Sequence, residues 1–271
     1  MTNDGDHLQT PLDAAVKEQK RDTLRMVQRA IDTRNVVLAY QPIMQAKHST
    51  RVAFWEGLLR VLDDTGRVVP AKDFIMVAET HEMGRQLDCL ALDKGLQVLA
   101  TYPDLRLSIN MSARSIGYPR WTETLESGLA VDPTVGERLI LEITESSAML
   151  MPDIVAAFMD RLQSKNISFA LDDFGAGYTA FRYFRDFFFD IIKIDGQFTS
   201  GIARDADNQC LTKALIGIAA HFDMFTVAER VETEEDAHYL TSIGIDCLQG
   251  YLYGAPTLHP EWLGLAEQRS A

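Results

Sequence analysis

The residues best suited to chemistry in this 271-residue chain are carboxylates, two amides and a lysine that stand within or directly after short apolar runs. Runs such as 107–109 and 169–171 are typical of buried strands. A single acidic residue after a strand usually caps a helix. A whole set is different, because the carboxyl ends of parallel strands in a barrel converge on the face that carries active sites. We therefore treat as one candidate site Glu56, Asn110, Glu142, Glu145, Asp172, Asp173, Lys193, Asp195, Glu229, Glu232 and Gln249.

Several carboxylates in one mouth repel one another, at about 4 kcal/mol per pair for charges ~4 Å apart and an effective dielectric of about 20. Lys193 alone cannot offset that repulsion, whereas divalent cations can. Oxygen ligands suit Mg²⁺ or Mn²⁺ better than zinc, since none of the 6 histidines stands at a strand end beside the cluster. The surplus of carboxylates predicts two ions bridged by the adjacent Asp172 and Asp173, an arrangement typical of phosphodiester hydrolysis.

Lys193 lies within the apolar run 191–194, and we weigh two roles for it. It could orient a water between the cations or take a proton from that water, depending on how firmly the carboxylates hold its own charge. The alternative is a purely structural ion pair with Asp195.

These residues must be positioned by β-rich runs that alternate with helical patterns, which predicts βαβ units and a mainly parallel sheet closed as a (β/α)8 barrel. The predicted strands are residues 36–44, 51–59, 105–111, 139–144, 168–172, 191–194, 224–228 and 247–252, and the predicted helices include 86–101, 152–165, 207–221 and 233–243. Residues 1–11 are typical of a mobile tail, and apolar residues from Leu12 to Ile31 recur at helical spacing. We divide the chain into 1–35, a tail and amphipathic helix, and 36–271, the barrel.

Composition narrows the class of function. The net charge of −13 excludes bulk attraction to a nucleic-acid polymer or an anionic membrane. No apolar run approaches the ~20 residues of a membrane span, so a cytoplasmic location is the expectation. Cys89, Cys210 and Cys247 are far apart and odd in number, which predicts buried free thiols.

Taken together, the motifs resemble the EAL-domain family of cyclic di-GMP phosphodiesterases from about residue 40 to residue 256. Each motif is weak alone, whereas their order and spacing together are specific. They are Tyr-Gln-Pro-Ile at 40–43, Glu-Gly-Leu-Leu-Arg at 56–60, Asn-Met-Ser at 110–112, Glu-Ile-Thr-Glu at 142–145, Asp-Asp-Phe-Gly-Ala-Gly-Tyr at 172–178, Lys-Ile-Asp at 193–195, Ala-Glu-Arg-Val-Glu at 228–232 and Gln-Gly-Tyr at 249–251.

The resemblance implies a modified TIM-type α/β barrel with one antiparallel strand, the first, and hydrolysis of cyclic di-GMP to linear pGpG with two divalent cations, Mg²⁺ or Mn²⁺. It implies two ligand sets. The first cation would be held by Glu56, Asn110, Glu142 and Asp172, and the second by Asp172, Asp173 and Glu229. Lys193 would contact the attacking water and Glu145 would brace the loop that begins at Asp173, so Lys193, Glu229 and Glu145 form the catalytic group.

By the same resemblance, the substrate groove would be lined by Gln41, Arg60, Asp195, Glu232 and Gln249. The fork of an arginine at position 60 suits phosphate oxygens. The glycine-containing loop after Asp173 would couple metal binding to contacts in a homodimer, although a simple turn uses the same glycines. The aromatic stretch 181–189 that follows is open between core packing and an exposed dimer surface.

Four positions depart from the family's pattern. Gly57 replaces the Ala of the motif that names the family, an exchange of small residues that we expect activity to survive. Arg230 replaces a Gly between two site acids and would place a large cation near the second metal unless its side chain points outward. Phe188 stands where Pro is usual, and Ala255 stands where a basic residue is common.

Three other classes compete with this interpretation. A binding module would keep the groove and bind cyclic di-GMP without cutting it, but such members usually lose metal ligands and here every matching ligand is present. An enolase-like lyase or isomerase also uses strand-end acids, a lysine and Mg²⁺. That fold normally carries a large N-terminal capping domain, which is not evident before the first predicted strand. An interaction scaffold would be indicated by an exposed 181–189 surface.

Overall fold

The architecture is a closed eight-stranded barrel, seen in a computed structural model that describes residues 11–176, 184–185 and 187–263. Going around the barrel, the strands follow the order β1, β9, β8, β7, β6, β5, β4 and β2, and pairing of β1 with β2 closes the ring. A short strand, β3, extends β2 outside the ring. The strands are β1 Val36–Gln45, β2 His48–Leu62, β3 Val68–Pro70, β4 Leu107–Asn110, β5 Leu139–Thr144, β6 Ser168–Phe174, β7 Ile191–Ile194, β8 Phe225–Ala228 and β9 Cys247–Leu248.

The first strand runs against its neighbours. It pairs antiparallel with both β2 and β9, while β2 and the remaining barrel strands pair in parallel through β4 to β9. An α/β barrel with one antiparallel strand, the first, is therefore confirmed.

Helices cover the outside of the ring, so the barrel strands bury both faces over most of their length. In β7, for example, all four residues are buried. The helices are α1 Pro11–Asp32, α2 Ile75–Ala78, α3 Glu82–Thr101, α4 Pro119–Val131, α5 Glu145–Leu150, α6 Pro152–Gln163, α7 Gly196–Thr199, α8 Ala206–His221 and α9 Glu234–Ser242. Within the described ranges, no helix combines the length and apolar character needed to cross a bilayer.

Inside the barrel, one layer of small and apolar side chains fills the centre. Its members come one from each of seven strands, and they are Ile43, Phe54, Ile140, Ala170, Ile191, Val227 and Cys247. Side chains alternate across a strand, so the residue two positions further along also points inward. This layer is therefore the floor on which the next inward layer is built.

The helix α1 packs on the side of the barrel through its second half. Val27, Ala30 and Ile31 are buried in a cluster with residues of β2, α2 and α3, whereas residues 15–22 are exposed. The predicted helix is thus present, and the predicted tail falls almost wholly on residues 1–10, outside the described part of the chain.

Two details differ from the sequence-based expectations. The last strand ends at Leu248 and not at residue 252, because the chain turns at Gly250, whose carbonyl oxygen accepts from the N–H groups of Tyr253 at 3.1 Å and Gly254 at 3.2 Å. All three cysteines are free, but Cys210 is exposed and not buried. It lies two residues before Thr212, whose side of α8 faces the core, and thus on the outer face of the helix.

The aromatic stretch divides between the two alternatives left open. Phe184, Phe187 and Phe189 are buried, whereas Phe188 is 72% exposed. Phe181 lies outside the described residues. Core packing therefore accounts for most of the stretch that the structure describes.

Candidate active site

The candidate site is the inward layer directly above the barrel floor. Six floor residues are each followed, two positions later, by a polar residue of this layer. The pairs are Phe54 and Glu56, Ile140 and Glu142, Ala170 and Asp172, Ile191 and Lys193, Val227 and Glu229, and Cys247 and Gln249. On the antiparallel β1 the step runs the other way, from Ile43 to Gln41, which pairs with Glu56. Asn110 closes the layer on β4, opposite Glu142. The alternation of side chains along strands therefore brings these residues to one mouth.

Lys193 is the centre of this layer. Its Nζ atom lies 2.8 Å from Glu142 Oε2, 2.8 Å from Asp172 Oδ1, 2.9 Å from Glu229 Oε1 and 3.5 Å from Glu56 Oε2. The side chain is 1% exposed. The structural alternative, an ion pair with Asp195, is not what the described residues show. Asp195 instead accepts a hydrogen bond from the backbone N–H of Gln197, at 2.8 Å, and caps α7.

Burial and charge oppose each other at this lysine. Burial by itself lowers the pKa of Lys193, but the carboxylates of Asp172, Glu142, Glu229 and Glu56 together raise it well above its ordinary value. The ammonium is therefore held charged, which favours a role in donating hydrogen bonds over a role as a base.

The carboxylates have pKa values shifted toward their neutral forms. Burial raises the pKa of Glu229 to about 8, against the opposing effect of Lys193. Burial, followed by the charge of Glu56, raises the pKa of Glu142 well above its usual range. Burial and the neighbouring Asp172 raise the pKa of Asp173. One buried ammonium thus does not balance the negative charge of this layer.

Glu56 is fixed by amide side chains. Its Oε1 accepts from Asn110 Nδ2 at 2.8 Å, and its Oε2 accepts from Gln249 Nε2 at 2.5 Å. Gln249 also lies 3.2 Å from Gln41 Oε1, and Gln41 donates to the carbonyl of Gly254 at 3.0 Å. Gln41 and Gln249, predicted from the resemblance as substrate-groove residues, are both buried and connected to the Glu56 carboxylate.

The geometry and chemistry of the acids fit divalent cations. Asp172, Asp173 and Glu229 each offer an oxygen, and these oxygens lie within 4.8 Å of one another. In the described part of the chain, the buried atoms Glu142 Oε1 and Gln249 Oε1 have no hydrogen-bond partner. Buried oxygens without donors are what a hard cation satisfies. The residues predicted for the second cation are thus gathered, and Lys193 contacts carboxylates predicted for both cations.

The segment after β6 is tied down by Glu145. This side chain is 2% exposed and its Oε2 accepts the backbone N–H of Gly175 at 3.0 Å. Asp173 has a φ of 53° and Gly175 a φ of 95°, both in the left-handed region. A side chain at Gly175 would also collide with Phe198. The predicted bracing contact of Glu145 is therefore present in the described part of the loop; Gly177 lies outside it.

The remaining predicted groove residues lie around the rim. Arg60 is four residues beyond Glu56 on β2 and therefore on the same face; it is half-buried, and burial lowers its pKa while Glu56 opposes that shift. Glu232 is exposed.

One contact was missed by sequence reasoning: the buried Thr199 donates a hydrogen bond from its hydroxyl to the carbonyl oxygen of Glu229 and so supports that residue. Nothing in the Gly-Gln-Phe-Thr sequence signals this role.

Gly57 has a packing reason beside the site. A methyl group there would lie 2.7 Å from Ile109 Cδ1 and 3.3 Å from the carbonyl oxygen of Ser108. The same Ile109 side chain also presses on Gly95, at 2.9 Å from a methyl placed there. The glycine thus accommodates Ile109, and Glu56 next to it keeps its inward direction.

Fold and site together define an eight-stranded β/α barrel with an acidic, oxygen-rich mouth and a buried lysine at its centre. The family model described as "EAL domain" matches residues 24–256. The chain belongs to the EAL domain family.

Known proteins agree with this membership. The chain is 30% identical over 234 residues to cyclic di-GMP phosphodiesterase PdeB of Shewanella oneidensis, which covers 85% of this chain and 27% of PdeB. It is 28% identical over 263 residues to cyclic di-GMP phosphodiesterase PdeF of Escherichia coli, covering 94% of this chain and 35% of PdeF. The chain therefore spans about a third of the length of these curated relatives.

A solved structure of PaMucR phosphodiesterase in complex with c-di-GMP has a TM-score of 0.80 to this chain at 27% identity. The match covers 89% of this chain and 99% of the solved one. The FimX EAL domain from Pseudomonas aeruginosa bound to c-di-GMP gives a TM-score of 0.80 at 23% identity, which supports the fold alone.

Proposed function

We propose that this barrel is a metal-dependent phosphodiesterase that hydrolyses cyclic di-GMP to linear pGpG. The observation that carries the proposal is the trio Asp172, Asp173 and Glu229, whose oxygens lie within 4.8 Å of one another beside a buried, charged lysine. The names and the bound ligand of the relatives supply the substrate.

We assign the cations to the two ligand sets predicted above, Glu56, Asn110, Glu142 and Asp172 for the first and Asp172, Asp173 and Glu229 for the second. Mg²⁺ or Mn²⁺ bound there would lower the pKa of a bound water and neutralise phosphate oxygens. Oxygen donors and the absence of histidine from this trio favour those ions over zinc.

The chain's own residues then have defined tasks. Lys193, kept protonated by its carboxylate neighbours, would donate a hydrogen bond that orients the attacking water. Gln249 and Asn110 would hold Glu56 in one orientation, and Glu145 would hold the loop after Asp173. Arg60 would bind a substrate phosphate at the rim, and Asp195 and Glu232 would line the same groove. A homodimer through this loop stays part of the proposal.

The decisive experiment is turnover of cyclic di-GMP by the purified chain with Mg²⁺ or Mn²⁺, followed by chromatography of the product. We expect pGpG from the wild type and none above background from Glu56→Ala, because the first cation loses a ligand. Arg204→Gln, which removes an exposed arginine paired with Glu235, serves as the control and should match the wild type. Tight binding of cyclic di-GMP without pGpG, across several metals, would replace the enzyme with a binding module.

A further inference from the structure

We infer that Arg230 is a phosphate-binding residue of this site, a role that rests on the proposed function and refines it. Arg230 directly follows Glu229, and its side chain is exposed at the mouth of the barrel. The inference concerns the phosphate that would be held beside Asp173.

The backbone of Arg230 is specialised. Its φ is 50°, in the left-handed region that side chains with a Cβ adopt at a cost. Its carbonyl oxygen lies 3.4 Å from the Ser200 hydroxyl, and the preceding carbonyl, of Glu229, is bonded by Thr199. These contacts keep the chain in a conformation that sends the Arg230 side chain across the top of β7 and α7.

The direction of the side chain follows from its contact with Gly196. A methyl group on Gly196 would lie 2.2 Å from Cδ of Arg230 and 2.6 Å from its Cγ. The aliphatic part of the arginine therefore lies flat on the Gly196 backbone, next to Asp195. This contact places the side chain over the start of α7, directly after Asp195, and so beside the mouth.

The guanidinium is available to a ligand. Among the residues that the structure describes, none places a carboxylate oxygen within 4 Å of it. It lies near Asp173 but forms no ion pair with it, so its N–H groups are not bound by the carboxylates that would hold the second cation. An unpaired arginine beside such a trio suits the oxygens of a phosphate diester, because its planar fork binds two of them at once.

The rim has a second guanidinium on its other side. Arg60 belongs to β2, and β2 is separated from β8, the strand before Arg230, by β1 and β9 in the ring. The two arginines thus flank the carboxylate layer. Cyclic di-GMP carries two phosphodiester groups on opposite sides of its ring, and two separated cations on an acidic protein match that pattern.

The test compares binding and turnover for Arg230→Gln, Arg230→Lys and Arg230→Gly. Arg51→Gln and Arg51→Gly are controls, because Arg51 is also exposed and lies on β2 five residues before Glu56, toward the end of the barrel opposite the mouth. Each substitution is made in the wild type, for kcat and KM, and in Glu56→Ala, for the Kd of uncut cyclic di-GMP by calorimetry in Mg²⁺. The affinity for Mn²⁺ alone is measured on the same proteins.

We expect Arg230→Gln to weaken cyclic di-GMP binding about tenfold and to raise KM by a similar factor, the change that ~1.4 kcal/mol produces. The affinity of Arg230→Lys for cyclic di-GMP should fall between those of the wild type and Arg230→Gln, because lysine keeps the positive charge but lacks the planar fork of arginine. The Arg51 variants should bind as their parents do, and the Mn²⁺ affinity of Arg230→Gln should stay within about twofold of the wild type.

Unchanged or tighter binding of cyclic di-GMP by both Arg230→Gln and Arg230→Gly would overturn the inference. Tighter Mn²⁺ binding with a higher kcat in Arg230→Gly would instead show that the arginine crowds the second cation. If the wild type binds cyclic di-GMP but forms no pGpG, hydrolysis fails and the Arg230 comparison still decides this inference. If neither the wild type nor Glu56→Ala binds cyclic di-GMP, the proposed function fails and the inference falls with it.

Discussion

At the scale of single residues, the site is a set of negative charges built around one ammonium. Lys193 contacts four carboxylates, yet Glu142, Asp173 and Glu229 all have raised pKa values. Each of these acids is thus favoured in its neutral form by the metal-free fold. Divalent cations would reverse that preference, because they need the ionised forms as ligands.

This charge balance predicts how stability depends on pH without metal. Glu229 has an ordinary pKa of 4.5 and a folded pKa of about 8, so the folded state holds the extra proton. The stabilisation that this proton gives the folded state is fully present below pH ~4.5 and is lost as the pH rises toward about 8. We therefore expect the free energy of unfolding in EDTA to fall by a few kcal/mol at most over this window.

Urea denaturation between pH 5 and 8.5 measures this dependence. Saturating Mn²⁺ should remove or reverse the fall, and Glu229→Gln, which cannot ionise, should flatten it in EDTA. A free energy of unfolding that rises steadily over this window in EDTA would contradict the charge balance described for the site.

At the scale of elements, the link between Glu145 and Gly175 connects the start of α5 to the loop after β6. The contact is a single buried hydrogen bond at 3.0 Å, and it holds a segment that begins in the left-handed region at Asp173. The position of Asp173, a predicted ligand of the second cation, thus depends on a residue from a neighbouring element.

Removing this bond should loosen the loop without unfolding the barrel. We expect Glu145→Ala to lower kcat at least tenfold and to speed hydrogen exchange at the Gly175 amide, because a backbone donor loses its buried acceptor. Glu145→Gln keeps a carbonyl acceptor and should retain more activity. If exchange at Gly175 is unchanged in Glu145→Ala while activity falls, the carboxylate acts in another way than by bracing.

At the scale of the whole molecule, α1 joins the barrel through only part of its length. Val27, Ala30 and Ile31 belong to a buried cluster with α2 and α3, whereas residues 15–22 are exposed. The family model likewise begins inside this helix, at residue 24. The division at residue 35 stays a prediction, and the packing indicates that the second half of α1 supports the barrel.

Truncation tests this dependence. A chain that starts at residue 23 should have a free energy of unfolding within about 1 kcal/mol of the full chain's, since residues 15–22 are exposed and bury little surface. A chain that starts at residue 36 should lose several kcal/mol, because buried side chains of the cluster would face water. Thermal and urea melts of the three chains measure the difference. Equal stability of the two truncated chains would show that α1 is dispensable.

Much of this site could be predicted from the sequence because its residues belong to short sequence motifs within or directly after single strands. Apolar strands that end in acids indicate a barrel mouth, and this needed only the alternation of side chains along each strand, a property of short segments. The resemblance carried by the ordered motifs supplied the family and the antiparallel first strand, while the two ligand sets that it implies stay predictions.

Other features depended on the closed ring. The partners of Lys193 are set by residues of different strands meeting across the barrel. The same holds for Gln249, which contacts both Gln41 and Glu56. The outward face of Cys210 depends on how α8 is rotated against the sheet. The direction of Arg230 depends on a left-handed backbone and on the bare Cα of Gly196 beneath it. Sequence by itself determined which groups the site contains, and the tertiary structure decided which of them are paired and which are free, because pairing is set by distance in space.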